Sequence, residues 1–325
     1  MLILDRSAVR AALSMPEAID AAAAALAAYS SGDAVVPLRT HVSCRDGVAL
    51  YMPGLVDGEA ALGAKLVSVF PANPARGLPT ITAAMVLQDP ATGVPLALME
   101  AGHLTALRTG AAGGLAARLL ARADAHKALI CGAGIQARTQ LAALHAVRQL
   151  TTVRVYDPNT AAAHAMVSEH AWPDLDCLVV DNPDDWVAWA DVIIAATTSR
   201  TPVFDGRLVR PGTHVTGIGS YTPEMQELDS ELILRADRVV CDTKEGALAE
   251  AGDLTVPLAG GLITPARVDS ELGHIVLGRA AGRVSDHEVT VYKGVGLAAL
   301  DLVTAKRILA RAQERGLGTL VDLAG

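Results

Sequence analysis

A glycine-rich turn between an apolar run and a helical pattern constrains the fold of this chain more than any other feature. Residues 128–131 form the apolar run, which is followed at once by Gly132-Ala133-Gly134-Ile135-Gln136-Ala137. In this setting Gly132 permits a tight turn, Gly134 lets a pyrophosphate approach the backbone, and Ala137 lets the helix pack closely on the strand. The helix N-terminus adds unpaired N–H groups and a positive dipole end. The pattern predicts a Rossmann-type dinucleotide site, with an ordinary glycine-rich turn as the alternative.

A carboxylate follows the next apolar run at the spacing that such a site requires. Asp157 ends the run Val153-Arg154-Val155-Tyr156-Asp157. It lies in the region about 20 residues past the glycines where an acidic side chain bonds the ribose hydroxyls, and it would repel a 2′-phosphate. No Arg or Lys follows it immediately, so we expect NAD(H) to be favoured, with NADP(H) as the alternative. Asp157 could also cap the helix after Pro158, and the two roles are compatible.

Strand and helix patterns alternate after residue 125, and this alternation predicts a parallel sheet. The first part of the chain differs: short apolar runs over residues 35–98 are separated by turn signals and predict mostly antiparallel strands. An amphipathic helix over residues 296–315 is expected to return to that first part. The predicted fold class is α/β, a Rossmann-type doubly wound parallel sheet inserted into a mixed α+β domain. The predicted domains are residues 125–296 for the former and 1–124 plus 297–325 for the latter.

Bulk properties exclude several classes of protein. A length of 325 residues fits about two domains of roughly 100–200 residues each. The net charge of −8 argues against nucleic acid or an anionic membrane as the main partner, because both favour a concentrated basic face.

The cysteines and the N-terminus carry the remaining compositional information. Four dispersed cysteines without C-x-x-C spacing indicate neither a zinc site nor a disulfide framework. The N-terminal apolar run is broken at Asp5, too early for a signal peptide or a membrane span. We therefore expect a cytoplasmic protein that holds no metal and acts on a small molecule.

Three basic residues of the first domain are candidates for binding an anionic substrate. Lys65 interrupts the apolar run of residues 62–70. Because burying an unpaired ammonium is costly, such a lysine lines a cleft, has a lowered pKa or pairs with an anion; a surface-facing lysine is the alternative. Arg39 and Arg108 could each clamp a carboxylate through two hydrogen bonds. Arg108 lies in a helical pattern, where exposed arginines are common.

These separate features join into a known pattern. The order Arg39, Arg45-Asp46-Gly47, Lys65, Pro79-Thr80, Leu104-Thr105-Ala106-Leu107-Arg108-Thr109 and Gly132-Ala133-Gly134-Ile135-Gln136-Ala137 resembles the ornithine cyclodeaminase and μ-crystallin family almost end to end. Members of that family include ornithine and lysine cyclodeaminases, an alanine dehydrogenase and reductases of cyclic and linear ketimines. The Thr-Ala-Leu-Arg-Thr stretch makes the resemblance far more specific than the glycine-rich turn alone.

The resemblance implies roles for individual residues. Arg39, Lys65 and Arg108 would hold the substrate carboxylate and the reacting centre. The expected cofactor contacts are Thr80 and Arg108 at the nicotinamide end, and Gly132, Gly134, Ile135, Gln136, Asp157, Thr197, Thr198 and Gly219 along the remainder. For the last three, ordinary loop structure is the alternative. The family fold is a homodimer built through the first domain, which would then serve both dimerisation and substrate binding.

One departure from the family pattern separates its activities. Cyclodeaminases and the alanine dehydrogenase carry an acid–base aspartate in a Gly-x-Asp-x-Pro stretch, whereas this chain reads Gly219-Ser220-Tyr221-Thr222-Pro223. A tyrosine, with an ordinary pKa of about 10, is a poor base toward an ammonium at neutral pH. The μ-crystallin-like reductases also lack this aspartate. The sequence therefore favours a reductase over an oxidative deaminase.

The expected activity is NAD(P)H-dependent reduction of a cyclic ketimine, Δ1-pyrroline-2-carboxylate or Δ1-piperideine-2-carboxylate, to L-proline or L-pipecolate. Lys65 would tune the charge on the imine nitrogen or donate a proton to it. The first alternative is an ornithine cyclodeaminase or alanine-dehydrogenase-like enzyme, in which Glu224, Glu100 or His103 replaces the missing aspartate. The second is a protein that binds a dinucleotide and a small molecule without turnover.

Overall fold

The computed structural model describes residues 1–323, and the chain divides into two compact units. Unit 1 comprises Met1–Arg108 and Leu297–Gly325, and unit 2 comprises Thr109–Gly296. The first division falls inside a long helix, earlier than the polar break near Asp124 at which the sequence predicts a domain boundary. The second half of that helix belongs with unit 2 because Ala117, and Ala121 just after the helix, pack into the core of unit 2.

Unit 1 begins with short strands and helices and continues as a run of strands. The strands are β1 (Leu2–Leu4), β2 (Ala34–Val35), β3 (Thr40–Cys44), β4 (Gly47–Val56), β5 (Ala61–Val69), β6 (Ile81–Gln88) and β7 (Pro95–Glu100). The helices are α1 (Arg6–Ala12), α2 (Met15–Ser31) and α3 (Ala101–Leu120), which runs on into unit 2. A capping box of Ser14 and Glu17 begins α2, and Gly32, at φ +90°, ends it.

Unit 2 alternates strands with helices. The strands are β8 (Lys127–Cys131), β9 (Thr152–Tyr156), β10 (Asp176–Val179), β11 (Val192–Ala195), β12 (His214–Gly217), β13 (Arg238–Cys241), β14 (Ser270–Glu271) and β15 (Thr290–Lys293). The helices are α4 (Ile135–Val147), α5 (Thr160–Glu169), α6 (Asp184–Val187), α7 (Ser230–Arg235), α8 (Lys244–Glu250), α9 (Gly252–Ala259) and α10 (Leu272–Val276).

The strands of unit 2 form one parallel sheet in the order β10-β9-β8-β11-β12-β15-β13-β14. From β8 the chain moves outward through β9 and β10, and then returns to the other side of β8 at β11. The strand order therefore reverses between β8 and β11, which is where open α/β sheets bind ligands. This arrangement confirms the predicted fold class.

Aliphatic side chains fill the layers on both faces of the parallel sheet. Leu129, Ile193 and Val215 lie in one buried cluster, and Ile130 and Val155 in the other. Neighbouring residues of β8 thus alternate between the two clusters, as the pleat of a strand requires. Each aliphatic side chain buried in this way contributes about 1.5–3 kcal/mol, which compensates for the scarcity of aromatic residues.

The end of the chain completes unit 1. Helix α11 (Ala298–Glu314) packs on α2, β4 and β5, and β16 (Thr319–Leu320) pairs with β1 in antiparallel fashion. The resulting mixed sheet has the order β16-β1-β7-β6-β5-β4-β2, with β3 paired to β4. Helix α11 therefore covers the face of the sheet from which Lys65 reaches Asp301 of this helix.

No single helix within residues 1–323 is long and apolar enough to cross a membrane. Helices α1 and α2 meet that criterion only as a pair, and a bend of 85° separates them.

Candidate active site

Lys65 lies inside unit 1 rather than on its surface. It belongs to β5, is only 2% exposed, and pairs in register with Met52 and Met85. Its Nζ donates a hydrogen bond of 2.7 Å to Oδ2 of Asp301, which is fully buried in the first turn of α11. A carboxylate is favourable at that end of a helix because the dipole there is positive. The ammonium of Lys65 therefore has a buried counter-ion.

The same carboxylate binds a second cation. Nε of Arg108, on α3, donates a hydrogen bond of 3.0 Å to Oδ1 of Asp301. Arg39 is close enough to act electrostatically on Lys65. These four residues, which we call the Asp301 cluster, carry three cations and one carboxylate. Guanidinium and ammonium groups are of the kind that bind anionic ligands through charge-assisted hydrogen bonds.

The environment of the Asp301 cluster shifts the pKa values of its members. Burial lowers the pKa of Lys65 to about 8; Asp301 opposes this shift, and the charges of Arg108 and Arg39 reinforce it. Burial alone would raise the pKa of Asp301, but Arg108 and Lys65 together hold that pKa below its usual value. Lys65 is therefore an ammonium at neutral pH with a proton that is easily given up, the property needed in a general acid.

Thr80 lies at the start of β6, where its carbonyl oxygen accepts a 2.8 Å hydrogen bond from the N–H of Phe70. The next residue, Ile81, pairs with Val69, whereas Lys65 pairs with Met85 further along the same two strands. Thr80 and Lys65 are thus separated along this strand pair. The structure brings Lys65, Arg108 and Arg39 together and leaves Thr80 outside the cluster.

Glycine occupies positions 132 and 134 of the turn in unit 2 for different reasons. Gly132 has φ +109°, and a Cβ on it would lie 2.5 Å from the carbonyl oxygen of Ala196. Gly134 begins α4 with φ −75°, and a Cβ on it would meet no protein atom within 4 Å. The protein itself therefore requires glycine at 132. At 134 the open space is of the kind that a bound pyrophosphate would use.

Asp157 fixes the glycine-rich turn. Its Oδ2 accepts a 2.7 Å hydrogen bond from the N–H of Ala133, and its Oδ1 accepts one of 2.8 Å from the N–H of Asn159. The side chain that caps α5 is Asn159, which accepts from Ala162. The capping role considered for Asp157 thus belongs to its neighbour. Each carboxylate oxygen can accept a further hydrogen bond, so a ribose hydroxyl can still be bound.

The other candidate cofactor contacts lie in the turn itself and at the ends of neighbouring strands. Ile135 is exposed in the first turn of α4. Within residues 1–323 the buried Oε1 of Gln136 has no hydrogen-bond partner, and a ligand donor would satisfy it. Thr197 and Thr198 follow β11, and Gly219 follows β12; the N–H groups of Thr197 and Gly219 both donate to Glu227.

Two acidic residues of these sites are absent from the residues predicted from the sequence. Asp301 interrupts the apolar run Leu300-Asp301-Leu302-Val303, a signal of the same kind as the one that identifies Lys65. Glu227 stands between Gln226 and Leu228 with no such signal. In the part of the chain that the structure describes, no three His, Cys, Asp or Glu side chains are grouped to hold a metal.

The model of the ornithine cyclodeaminase/mu-crystallin family matches residues 1–316. This chain belongs to that family. The family expected from the motif order is therefore confirmed.

Individual relatives match over nearly their whole length. Δ1-pyrroline-2-carboxylate reductase of Bacillus cereus is 39% identical, with 99% of this chain and 100% of the relative covered. The structure of Thermococcus litoralis Δ1-pyrroline-2-carboxylate reductase in complex with NADH and L-proline is 41% identical with a TM-score of 0.94, covering 99% and 100% of the two chains. An archaeal alanine dehydrogenase dimer with bound NAD is 35% identical with a TM-score of 0.92, covering 99% of each chain.

Tyr221 occupies the position at which the cyclodeaminase pattern of the family has aspartate. It is 40% exposed in the loop after β12. The loop is held on either side of Tyr221, since Oγ of Ser220 donates a 2.5 Å hydrogen bond to the carbonyl oxygen of Met225. A phenol therefore stands here in place of a carboxylate.

Proposed function

We propose that this chain is an NAD(P)H-dependent reductase of a cyclic ketimine, Δ1-pyrroline-2-carboxylate or Δ1-piperideine-2-carboxylate, with L-proline or L-pipecolate as the product. The observation that carries this function is the Asp301 cluster, in which a buried lysine with a pKa of about 8 lies beside two arginines. The full-length similarity to Δ1-pyrroline-2-carboxylate reductases supports the choice of substrate.

The substrate carboxylate would be bound by Arg39 and Arg108. Asp301 holds Lys65 and Arg108 in place through its two ion pairs. Hydrogen bonds between a guanidinium and a carboxylate are charge-assisted and directional. They would fix which face of the imine ring is presented for reduction, and orientation of this kind is a large part of catalysis.

The nicotinamide cofactor, when bound, supplies the hydride that is added to the carbon of the C=N bond. As the new C–H bond forms, the π electrons of the C=N bond move onto the imine nitrogen, which must gain a proton. Lys65 Nζ would donate this proton, directly or through one water. Its lowered pKa makes the transfer easier than from an ordinary lysine. Lys65 would then recover a proton from solvent before the next turnover.

The residues of unit 2 fit a dinucleotide. Gly132 shapes the turn, Gly134 leaves open space at the start of α4, and Asp157 stands beside the turn to bind a ribose. A carboxylate in that place disfavours the 2′-phosphate of NADP(H). NAD(H) is therefore the favoured cofactor, in agreement with the NADH and NAD bound to the related structures.

We further propose that the protein is a homodimer built through unit 1 and that it acts in the cytoplasm. The related archaeal alanine dehydrogenase is a dimer. In unit 1, Val35, Leu38 and Val42 leave large apolar surfaces exposed, which is typical of an interface. The four cysteines are free, as is usual in a reducing compartment.

The first test is the initial rate of NADH oxidation with Δ1-pyrroline-2-carboxylate, measured beside NADPH oxidation and beside NAD reduction with L-ornithine. Rapid NADH oxidation that yields L-proline, without ammonia release from ornithine, is the expected result. Ammonia release from ornithine without imine reduction would show that the reductase assignment is wrong. Tight NADH binding without turnover of the imine or of ornithine would indicate a non-enzymatic binder.

An amino-acid dehydrogenase is the second candidate function, because the related alanine dehydrogenase is also similar over the full length. Such an enzyme needs a base to remove protons from the substrate ammonium, and Tyr221 is poorly suited to that task. Replacement of Tyr221 by aspartate is expected to increase NAD reduction with L-alanine relative to imine reduction. An unchanged ratio would mean that this position does not distinguish the two activities.

A further inference from the structure

A buried carboxylate ties together two loops at the edge of the parallel sheet. Oε1 of Glu227 accepts a 2.5 Å hydrogen bond from the N–H of Thr197, in the loop after β11. Its Oε2 accepts hydrogen bonds of 2.5 and 3.1 Å from the N–H groups of Gly219 and Ser220, in the loop after β12. Glu227 is fully buried. One side chain therefore sets the spacing of the two loops.

The chain leaves room for this carboxylate at Gly219. A Cβ on Gly219 would collide with the carboxylate of Glu227 and with the carbonyl oxygen of Thr197. Gly219 is not among the residues with positive φ in the described part of the chain. Close approach of the Thr197 carbonyl oxygen and of the Glu227 carboxylate, rather than a special backbone conformation, therefore accounts for glycine at this position.

A second buried carboxylate, paired with a lysine, holds the backbone at Glu227. Oδ1 of Asp253 accepts hydrogen bonds of 2.7 and 3.0 Å from the N–H groups of Glu227 and Leu228. Nζ of Lys293 lies 2.8 Å from Oδ2 of Asp253, and both side chains are fully buried. Buried ion pairs add little stability compared with apolar replacements of the same volume. The pair of Lys293 and Asp253 is therefore better explained by the fixed position that it gives to the backbone of Glu227 than by a gain in stability.

The loops lie where one end of a dinucleotide would be bound. They follow β11 and β12, which come next to β8 in the sheet, on the side away from β9 and Asp157. A cofactor whose adenosine ribose is bound by Asp157 and whose pyrophosphate lies at the Gly132 turn would place its nicotinamide over β11 and β12.

We propose that Glu227 is a positioning residue for the nicotinamide ring, supported by Asp253 and Lys293, a role that rests on the proposed function. It acts through the backbone of Thr197 and of Gly219-Ser220, and it does not touch the cofactor. Glu227 therefore determines the affinity for the nicotinamide half of the cofactor and leaves the adenosine half unaffected.

The test compares NADH with ADP-ribose, which lacks the nicotinamide. Glu227→Gln keeps the shape of the side chain but can no longer accept from both loops. Dissociation constants are measured by titration for the wild type and the variant with each ligand. We expect NADH binding to weaken by about tenfold, the effect of losing one hydrogen bond to a charged group, and ADP-ribose binding to stay within about twofold. The matched control is Glu231→Gln, which removes the same charge from an exposed side chain on α7.

A second variant keeps the test decisive if Glu227→Gln does not fold. Glu227→Asp keeps the charge but shortens the side chain by one methylene, so it cannot reach the N–H groups of both loops, and the same selective loss of NADH affinity is expected. Equal weakening of NADH and ADP-ribose, or unchanged NADH affinity, would overturn the role of Glu227. Failure of the wild type to bind NADH at all would instead overturn the proposed function, and the role of Glu227 with it.

Discussion

The protonation state of Lys65 sets the pH range of the proposed reaction. Its pKa is lowered to about 8, first of all by burial, so Lys65 is an ammonium below this pH and an amine above it. The rate of imine reduction is therefore expected to fall by about tenfold per pH unit above pH 8, because the proton donor is lost. Lys65→Arg should react more slowly and lack this alkaline limb, since a guanidinium stays charged. Profiles of kcat against pH for the wild type and for Lys65→Arg test this assignment. An alkaline limb that is retained in Lys65→Arg would show that another group causes that limb.

Asp301 gives a second prediction at the same scale. Asp301→Asn leaves Lys65 and Arg108 buried without their shared counter-charge, and such a change costs about 3–5 kcal/mol of stability. It also removes the group that raises the pKa of Lys65, so the alkaline limb should move to lower pH. Denaturant unfolding and the kcat profile measure the two effects.

A surface ion pair of unit 1 supplies the control for Asp301. Glu59→Gln breaks the partly exposed bond to Arg307, and it should cost no more than about 1 kcal/mol. Equal losses of stability in Asp301→Asn and Glu59→Gln would contradict the importance given to burial of the Asp301 cluster.

Part of this site can be predicted from the sequence, and part of it cannot. Lys65 is recognisable because a charge interrupts an apolar strand, and Arg39 and Arg108 because they belong to the family pattern. That Asp301 is the partner of Lys65 is not readable locally, because 236 residues separate the two. Nor can the sequence show that Glu227 faces three backbone N–H groups, since this depends on how the loops after β11 and β12 come together.

At the level of elements, the two turn glycines give a paired prediction. Gly132→Ala forces a side chain into a positive-φ position and against the Ala196 carbonyl oxygen, and it should destabilise unit 2 by about 1–3 kcal/mol. Gly134→Ala meets no such obstacle, so the melting temperature should hold while NADH affinity drops. Thermal melting and NADH titration of both variants separate the effects. Unchanged NADH affinity in Gly134→Ala would place the pyrophosphate elsewhere.

Strands of the parallel sheet differ in how readily the sequence reveals them. β8 and β9 are predicted because one apolar run directly precedes the glycine-rich turn and the next ends in Asp157. β15 is not predicted: Thr290-Val291-Tyr292-Lys293 is short and half polar, although the strand is fully buried between β12 and β13. Two of its polar residues have remote partners, since Thr290 donates to the carbonyl oxygen of Leu120 and Lys293 forms an ion pair with Asp253. Local hydrophobic patterning cannot anticipate partners that only the assembled sheet supplies.

For the whole molecule, the division of the chain inside α3 shows another limit of the sequence. The helical pattern over residues 100–123 is continuous, and nothing in it distinguishes the part that precedes Arg108 from the part that follows. Packing makes the distinction, because Ala117 and Ala121 join the core of unit 2. The amphipathic pattern of α11, by contrast, shows that this helix must cover an apolar surface, and α11 lies on β4 and β5 of unit 1.

Assembly of the whole molecule follows from the surface of unit 1. All five residues of β3 are exposed, and Leu38, just before this strand, is 74% exposed. If a second copy covers this surface, Leu38→Glu should convert the dimer to a monomer, because the interface would have to bury an unpaired carboxylate. Light scattering coupled to size-exclusion chromatography measures the change. Leu178→Glu, at a 52% exposed position of β10 in unit 2, is the matched control and should remain dimeric.

The same variant tests whether assembly matters for the reaction. Leu38 precedes Arg39, one of the residues proposed to bind the substrate carboxylate. If dimerisation orders this segment, Leu38→Glu should raise KM for the imine while the affinity for ADP-ribose, whose proposed contacts lie in unit 2, stays unchanged. A monomeric variant with an unaltered KM would show that Arg39 is positioned within its own chain. A wild-type protein that is itself monomeric would refute the proposed assembly and leave the exposed face of β3 to a different partner.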